Sequence, residues 1–315
     1  MAERSALMQG TVVASHGRHC VVETPDGQRR ICHPRGKKSQ AVVGDHVLWQ
    51  AAPAGQGDEG TIEKVQERRN LFYRQDEIRT KSFAANIDQV LILIAAEPVF
   101  SESQLARALI TAEATHITPL IALNKSDLVE PFARAWARLQ PYRHMGAEGK
   151  HYGVLPLSLT QSSDVDRNAL MEHLKGKTTL VLGPSGSGKS TLINLLVPGA
   201  TVLTGEPSQA LNSGKHTTTS THWYWVDAEH TTALIDSPGF QEFGLHHIAP
   251  MQLASCMPDI AAHATDCRFY NCTHLHEPGC GVLDALKKPT EQGGISATRY
   301  KIYSDLFAEL SQPRY

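Results

Sequence analysis

The sequence predicts a multi-domain chain: a small closed β-barrel over residues 1–70, an α/β unit with a parallel sheet over 71–245, and a mainly α module over 246–315. Three observations carry that division. Short β-rich runs alternate with Gly and Pro turns through the first part. Continuous apolar runs alternate with helical patterns through the second. In the third, three cysteines and two histidines fall within positions 267 to 280.

The chain has 315 residues, 41% of them apolar, an ordinary globular composition. Its net charge of −2 leaves any nucleic-acid contact to local patches. The longest apolar run, Val90 to Ala96, is too short to span a bilayer. The opening residues include Glu3 and Arg4 and hold no extended apolar core, so no secretory signal is expected. Cys20, Cys32 and Cys256 stand apart while Cys267, Cys272 and Cys280 cluster. That distribution suits a reducing compartment rather than a disulfide framework, and a cytoplasmic monomer is expected.

In the first part, Gly10–Ala14, His19–Glu23, Gln28–Cys32, Val42–Trp49 and Gly60–Val65 read as strands. Pro25-Asp26-Gly27 supplies a hairpin turn. Five short strands without a long helix predict a barrel of the oligonucleotide-binding (OB) type. Arg29, Arg30, Arg35, Lys37 and Lys38 have no acidic residue between them, and Arg68, Arg69, Arg74, Arg79 and Lys81 follow. The run reads either as a phosphate-contacting face for RNA or as a solvated loop.

The middle part is organised around Gly183-Pro184-Ser185-Gly186-Ser187-Gly188-Lys189-Ser190, a G-x-x-x-x-G-K-[ST] phosphate loop. Thr178–Leu182 ahead of it reads as a buried strand, and Thr191–Leu196 behind it as a helix stopped by Pro198-Gly199. Glycines let backbone N–H groups curl around phosphate oxygens at a helix N-terminus. Lys189 is expected to reach the β- and γ-phosphates, and Ser190 to ligate Mg²⁺. Upstream, Val90–Ala95 reads as a strand covered on both faces, and Ser101-Glu102-Ser103-Gln104 as the cap of the helix that follows. Pro119–Leu123 runs into Asn124-Lys125-Ser126-Asp127, a guanine-reading N-K-x-D signature. A carboxylate at Asp127 accepts from guanine N1–H and the 2-amino group, which adenine does not offer in that arrangement. Asn124 is expected on the other edge of the base, and the Lys125 stem over the ring. Ser158 and Leu159 fall where a loop backs onto the base, although Leu159 stands in place of the usual Ala.

Downstream, Gly214–Thr219 reads as a mobile switch offering Thr217, Thr218 or Thr219 to Mg²⁺ and the γ-phosphate. Trp223–Val226 and Thr232–Ile235 read as a hairpin leading into Asp236-Ser237-Pro238-Gly239. In this D-x-x-G motif Asp236 is expected to hold Mg²⁺ through water and the Gly239 N–H to sense the γ-phosphate.

The motifs run in a permuted order, with Asn124–Asp127 ahead of Gly183–Ser190 and Asp236–Gly239 last. Order, leading barrel and cysteine cluster together resemble the circularly permuted small ribosomal subunit biogenesis GTPases, the RsgA or YjeQ family. The resemblance covers essentially the whole chain. It implies a GTP-hydrolysing enzyme, cycling between GTP and GDP, that acts in late maturation of the small (30S) ribosomal subunit. It further implies binding to ribosomal RNA and stimulation by the subunit.

Cys267, Cys272, His274 and Cys280 supply three thiolates and an imidazole, a tetrahedral set for structural zinc. Their spacing agrees with the family's zinc motif, and His263, His276 and Cys256 lie nearby as competitors. After Gly293-Gly294, Ser296 is expected to cap a helix with Tyr303, Leu306, Phe307 and Leu310 on one face. Where many GTPases carry a water-orienting Gln, this chain has Phe240. His216 is the nearest polar candidate for that catalytic task, read either as the water holder or as a solvated loop residue. Two other readings stand beside this one. Asp127 argues against an ATP-dependent kinase or transporter subunit. The set Lys189, Ser190, Asp236 and Gly239 disfavours an RNA-binding scaffold with nucleotide as a structural ligand.

Overall fold

Alternating burial along the first five strands closes a barrel. In the computed structural model these are β1 (Met8–His16), β2 (His19–Glu23), β3 (Arg29–Pro34), β4 (His46–Ala51) and β5 (Gly60–Val65). The structure describes residues 6–16, 19–36, 41–53, 57–145, 151–161, 164–197, 199–200, 220–238, 240 and 243–313. β1 pairs antiparallel with β2 and β4, β2 with β3, and β4 with β5, while β3 and β5 run parallel. The order β1-β2-β3-β5-β4, closed by β1 on β4, is an OB-type barrel. Val12, Val22, Cys32, Val47, Trp49 and Ile62 fill its interior. Register shifts at Val12/Ala14 and Leu48/Trp49 bend the strands at the corners, as closure of so small a barrel requires.

A hairpin follows, β6 (Leu71–Gln75) and β7 (Thr80–Ala85), which sequence reading did not resolve. Tyr73-Arg74-Gln75 and Thr80-Lys81-Ser82 give it polar runs in place of an apolar alternation. The chain leaves the barrel through Arg68, whose guanidinium makes paired bonds of 2.7 and 2.8 Å to the fully buried Asp45 carboxylate. Arg68 is therefore part of the barrel's closure.

The middle sheet comprises β8 (Gln89–Ala95), β9 (Thr118–Asn124), β10 (Gly153–Pro156), β11 (Thr178–Leu182), β12 (Thr221–Trp225) and β13 (Ala233–Asp236). Its order is β10-β9-β8-β11-β13-β12, parallel except for β12. Every residue of β8 is buried, which its unbroken apolar run predicts for a strand covered on both faces. On one face Leu91, Leu93, Val181 and Leu234 pack against α4 (Asp164–Leu174) and α5 (Lys189–Leu196). The other face packs against α1 (Glu102–Ala114) and the C-terminal module. Ser101 caps α1 by accepting from the Gln104 N–H, as its sequence predicts. Between β9 and β10 lie α2 (Val129–Arg138) and the single turn α3 (Gln140–Arg143).

β12 also pairs with β1, through Ala14↔His222 and Ser15↔Thr221. Barrel and middle sheet thus form one 11-stranded sheet, a junction between segments some two hundred positions apart that no local pattern announces.

The C-terminal module contains α6 (Pro258–Ala264), α7 (Gly281–Leu286) and α8 (Ala297–Leu310). Ser296 caps α8, and Tyr303, Leu306 and Leu310 are buried along it, with Phe307 packed at the margin. Charge holds the module together and also joins it to the middle part of the chain. Arg299, 1% exposed, makes bonds of 2.8 and 2.7 Å to Asp259 and lies 5.0 Å from the Tyr142 ring centroid. Arg107 of α1 makes a bidentate pair with Glu309 of α8. No helix among the described residues is long and apolar enough to cross a membrane.

Removing one partner of a buried pair strands the other charge. Asp259→Ala is expected to destabilise the chain by about 3–5 kcal/mol, read as a fall in the denaturant midpoint. A loss below about 1 kcal/mol, the worth of an exposed pair, would mean that Arg299 reaches solvent when Asp259 is gone.

Candidate functional site

Parallel strands deliver their C-terminal ends to one edge of the sheet, and the motif residues collect there. β11 ends at Leu182 and the chain turns through the phosphate loop into α5 at Lys189. Gly188 stands at the helix entry with φ +99°, and a Cβ on it would lie 2.4 Å from Asn124 Nδ2. Both the left-handed backbone and the close approach of Asn124 demand glycine. No side chain caps α5, so its first N–H groups are left for a ligand. Ser187 Oγ is buried without a hydrogen-bond partner among the described residues. Ser190 and Thr191 follow in the first turn of α5, both half-buried.

Parallel pairing of β11 with β13, with Val181 opposite Asp236, brings the D-x-x-G aspartate to the phosphate loop. Lys189 Nζ donates to Asp236 Oδ1, and both groups are mostly buried. Phe240 is buried in the core and packs toward Phe243 at 6.2 Å between ring centroids. His216, Thr217, Thr218, Thr219 and Gly239 lie outside the described residues.

The base-side motif is held by one amide. Asn124, at the end of β9, donates from Nδ2 to Ser187 O at 2.9 Å. Its Oδ1 accepts from Lys125 N at 2.7 Å and Leu159 N at 3.1 Å. The structure adds a task that the sequence motif did not suggest: this amide ties the phosphate loop to the loop after β10. Leu159 contributes its backbone N–H, which explains why a larger side chain is tolerated in place of Ala. Ser158 Oγ donates to Asp127 Oδ1 at 2.7 Å, and Ser158 N donates to Asp166 Oδ2 at 2.9 Å. The Asp127 carboxylate is thereby oriented before any ligand arrives. Lys125 holds φ +68° and donates from Nζ to Glu97 O at 2.6 Å, which lays its stem along this edge.

The basic residues of the barrel are brought together less simply. Arg29 Nε donates to Glu23 at 2.8 Å, Arg35 pairs with Glu63, and Arg30 donates to Gln28 Oε1 at 3.2 Å. Arg29 is 48% and Arg35 72% exposed while their partners Glu23 and Glu63 are only 8% and 16% exposed, so each guanidinium reaches solvent from a largely buried carboxylate. Lys37 and Lys38 lie outside the described residues.

The cysteine cluster gathers four donors that could hold a metal ion. The ligand atoms of Cys267, Cys272, His274 and Cys280 all lie within 4.8 Å of one another. His274 Nδ1 stands 3.4 Å from Cys267 Sγ and 3.5 Å from Cys280 Sγ, and those two sulfurs are 3.8 Å apart. A tetrahedron with metal–sulfur bonds of about 2.3 Å has edges of about 3.8 Å, so the donors fit such an ion. His263 donates to Gly293 O at 3.0 Å, His276 is exposed, and neither joins the set. Sequence reading missed Glu277, which shapes this loop by accepting from Thr273 N at 2.8 Å and Thr273 Oγ1 at 2.6 Å. An acidic residue inside a Thr-x-x-x-Glu turn was the available signal. Burial, with neighbouring thiols adding to it, pushes the Cys272 thiol up to about 12.

An OB-type barrel, a phosphate loop facing an N-K-x-D loop, and strands in permuted order define a circularly permuted P-loop GTPase fold. The family model described as RsgA GTPase matches residues 65–246. The chain belongs to that family. It is 74% identical over 309 residues to the small ribosomal subunit biogenesis GTPase RsgA of Variovorax paradoxus, covering 98% of this chain and 94% of that protein. The protein of the same name from Paraburkholderia xenovorans is 49% identical over 315 residues, with 99% and 96% covered. Among solved structures, YjeQ from Thermotoga maritima superposes with a TM-score of 0.73 at 28% identity, covering 98% of this chain and 100% of that one. YloQ, described as a circularly permuted GTPase, gives 0.68 at 26%, with 100% and 99% covered.

The thiols must lose protons to bind a metal, so a raised Cys272 pKa makes uptake weaken as pH falls. Co²⁺ added to metal-free protein is expected to give the intense thiolate-to-metal absorption of a tetrahedral site, with affinity rising with pH. Cys272→Ala is expected to lose that signal. A weak, octahedral spectrum in the unmodified protein would remove these four residues as ligands.

Proposed function

We propose that this chain is a GTP-hydrolysing assembly factor acting in late maturation of the small (30S) ribosomal subunit, binding ribosomal RNA and stimulated by the subunit. The full-length likeness to a relative of that name at 74% identity carries the reading. The gathering of Asp127, Ser158, Asn124, Lys189 and Asp236 at one sheet edge supports the nucleotide part. We take its units as residues 1–70 for RNA, 71–245 for GTP and 246–315 for zinc, in a cytoplasmic monomer.

In this reading Asp127, braced by Ser158, accepts from N1–H and the 2-amino group of guanine. Lys125 covers the base with its stem, and the N–H of Leu159 is fixed by Asn124. The backbone of residues 183–191 cradles the phosphates at the open start of α5. Lys189 exchanges Asp236 for β- and γ-phosphate oxygens. Ser190, Asp236 and Thr217 or Thr218 are the residues that would hold Mg²⁺, which supplies charge neutralisation at the β- and γ-phosphates. With Phe240 apolar and buried, His216 is left to orient the attacking water. The four-ligand Cys267, Cys272, His274 and Cys280 set keeps no open position, so its zinc is structural. Arg29, Arg30, Arg35, Lys37 and Lys38 form the RNA face, where phosphates replace Glu23 and Glu63.

GTP turnover with and without purified small ribosomal subunits tests the whole. Slow hydrolysis alone and marked acceleration on the subunit are expected, and an unchanged rate would sink the assignment. Base reading is checked by Asp127→Asn, which is expected to exchange GTP for XTP. The GTP penalty should be about 2–5 kcal/mol for the lost charged hydrogen bonds. Unaltered GTP affinity would take Asp127 out of the base site.

A further inference from the structure

The hairpin β6–β7 belongs to none of the nucleotide motifs, yet it holds both ends of the loop that follows Asp236. At the near end Lys81 Nζ donates to the carbonyl of Pro238 at 2.8 Å. The ammonium also lies 5.3 Å from the Phe83 ring centroid. At the far end Gln75 N donates to Gly244 O at 3.1 Å, and His246 N donates back to Gln75 O at 2.9 Å. Gln75 and Leu245 thereby form a parallel bridge. A Cβ on Gly244 would stand 2.5 Å from Gln75 O, so the backbones meet where no side chain fits. Between the two ends, Phe243 stacks on Phe83 at 5.6 Å and 13°.

The other side of the hairpin is attached to the barrel. Ala85 N donates to Val43 O at 2.9 Å, and Asn86 Nδ2 donates to Gly44 O at 2.9 Å. The hairpin therefore bonds to the barrel at one side and to the loop after Asp236 at the other.

A cation donating to a main-chain carbonyl makes a strong, charge-assisted bond where water is partly excluded. Burial lowers the Lys81 pKa, with the neighbouring Arg74 guanidinium adding to it. The carbonyl of Pro238 belongs to the same planar peptide as the N–H of the next residue. In a trans peptide the two groups point in opposite directions, so a group that fixes the carbonyl fixes the N–H as well.

We propose that Lys81 is a positioning residue for GTP hydrolysis, acting through the Pro238 carbonyl on the peptide whose N–H answers the γ-phosphate. Through the hairpin, displacement of the barrel by a bound partner re-aims that peptide. The proposal rests on reading Asp236–Gly239 as the γ-phosphate loop. Lys81 itself touches no nucleotide, so its effect falls on the chemical step and spares the affinity for GDP.

The test uses the full-length protein, measuring steady-state GTP turnover alone and with small ribosomal subunits, together with GDP affinity and thermal midpoint. Lys81→Met keeps the stem against Phe83 and removes the donor. Its kcat should fall about 10-fold or more with KM and GDP affinity within about twofold, the split expected of a group acting only in the transition state. Lys81→Gln, which is shorter and uncharged and so lacks the charge-assisted bond, should fall likewise, and Lys81→Arg, which restores a cation, should recover most of the rate. Wild-type kcat in Lys81→Met overturns the proposal. So does a kcat loss accompanied by equal loss of GDP affinity and a lowered thermal midpoint, since that marks a merely structural contact. Asp236→Asn separates the two readings. If it abolishes turnover while Lys81→Met does not, the Lys81 role alone fails. If Asp236→Asn also turns over normally, the reading of the loop fails and the Lys81 role fails with it.

Discussion

Three loops meet on the amide of Asn124, and the site depends on that meeting. The group is buried at the end of β9, where an unsatisfied amide would be costly, and its hydrogen bonds reach Ser187 O and Leu159 N. Because Ser187 belongs to the phosphate loop and Leu159 to the loop after β10, neither can shift without breaking a buried bond. Gly188 must lack a side chain to let this amide in. The backbone of residues 183–188 and the loop after β10 are thus set against each other by one side chain.

Permutation changes which parts are covalent neighbours of this centre. The Asp236 loop now runs into the C-terminal module, and the barrel runs into the hairpin that grips the same loop. A second connection runs through Glu23, which is buried in the barrel wall. It accepts from Trp225 Nε1 of β12 at 2.7 Å and from Arg29 at 2.8 Å. An anion that draws Arg29 away therefore leaves Glu23 with a changed partner set at the sheet junction. On the opposite side Arg107 donates to Phe243 O at 3.2 Å while paired with Glu309, so α8 also bears on the segment after the D-x-x-G motif. The loop after Asp236 is in this way held from the barrel side and from the side of the C-terminal module.

Charge is used for two different purposes in the same molecule. Asp45–Arg68 and Asp259–Arg299 are buried pairs that close the barrel exit and seat the last helix. Such pairs specify one arrangement more than they add stability, because desolvation offsets much of their attraction. Arg29 and Arg35 reach from largely buried carboxylates out to the surface, where their guanidiniums are open to an external anion. Charge runs in the sequence do not separate these cases, since Arg68 and Arg35 look alike without their partners' burial.

Local chemistry made much of this protein legible in one dimension. β2, β5 and β11 fall where β-branched runs and turns put them, and Ser101 and Ser296 cap the helices they precede. The phosphate loop, the N-K-x-D run and the Cys/His spacing are contiguous or nearly so, because each is a ligand shell built from one turn of chain. What tertiary structure alone decided lies between distant segments: β1 on β12, Asn124 on Ser187, Ser158 on Asp127, and the β6–β7 hairpin on the loop after Asp236. None of these leaves a periodic trace, for a single hydrogen bond across a sheet edge constrains two residues and imposes no pattern on the sequence around them. Repetition or proximity along the chain makes a feature readable, whereas the choice of partners for buried polar groups is settled only when the layers close.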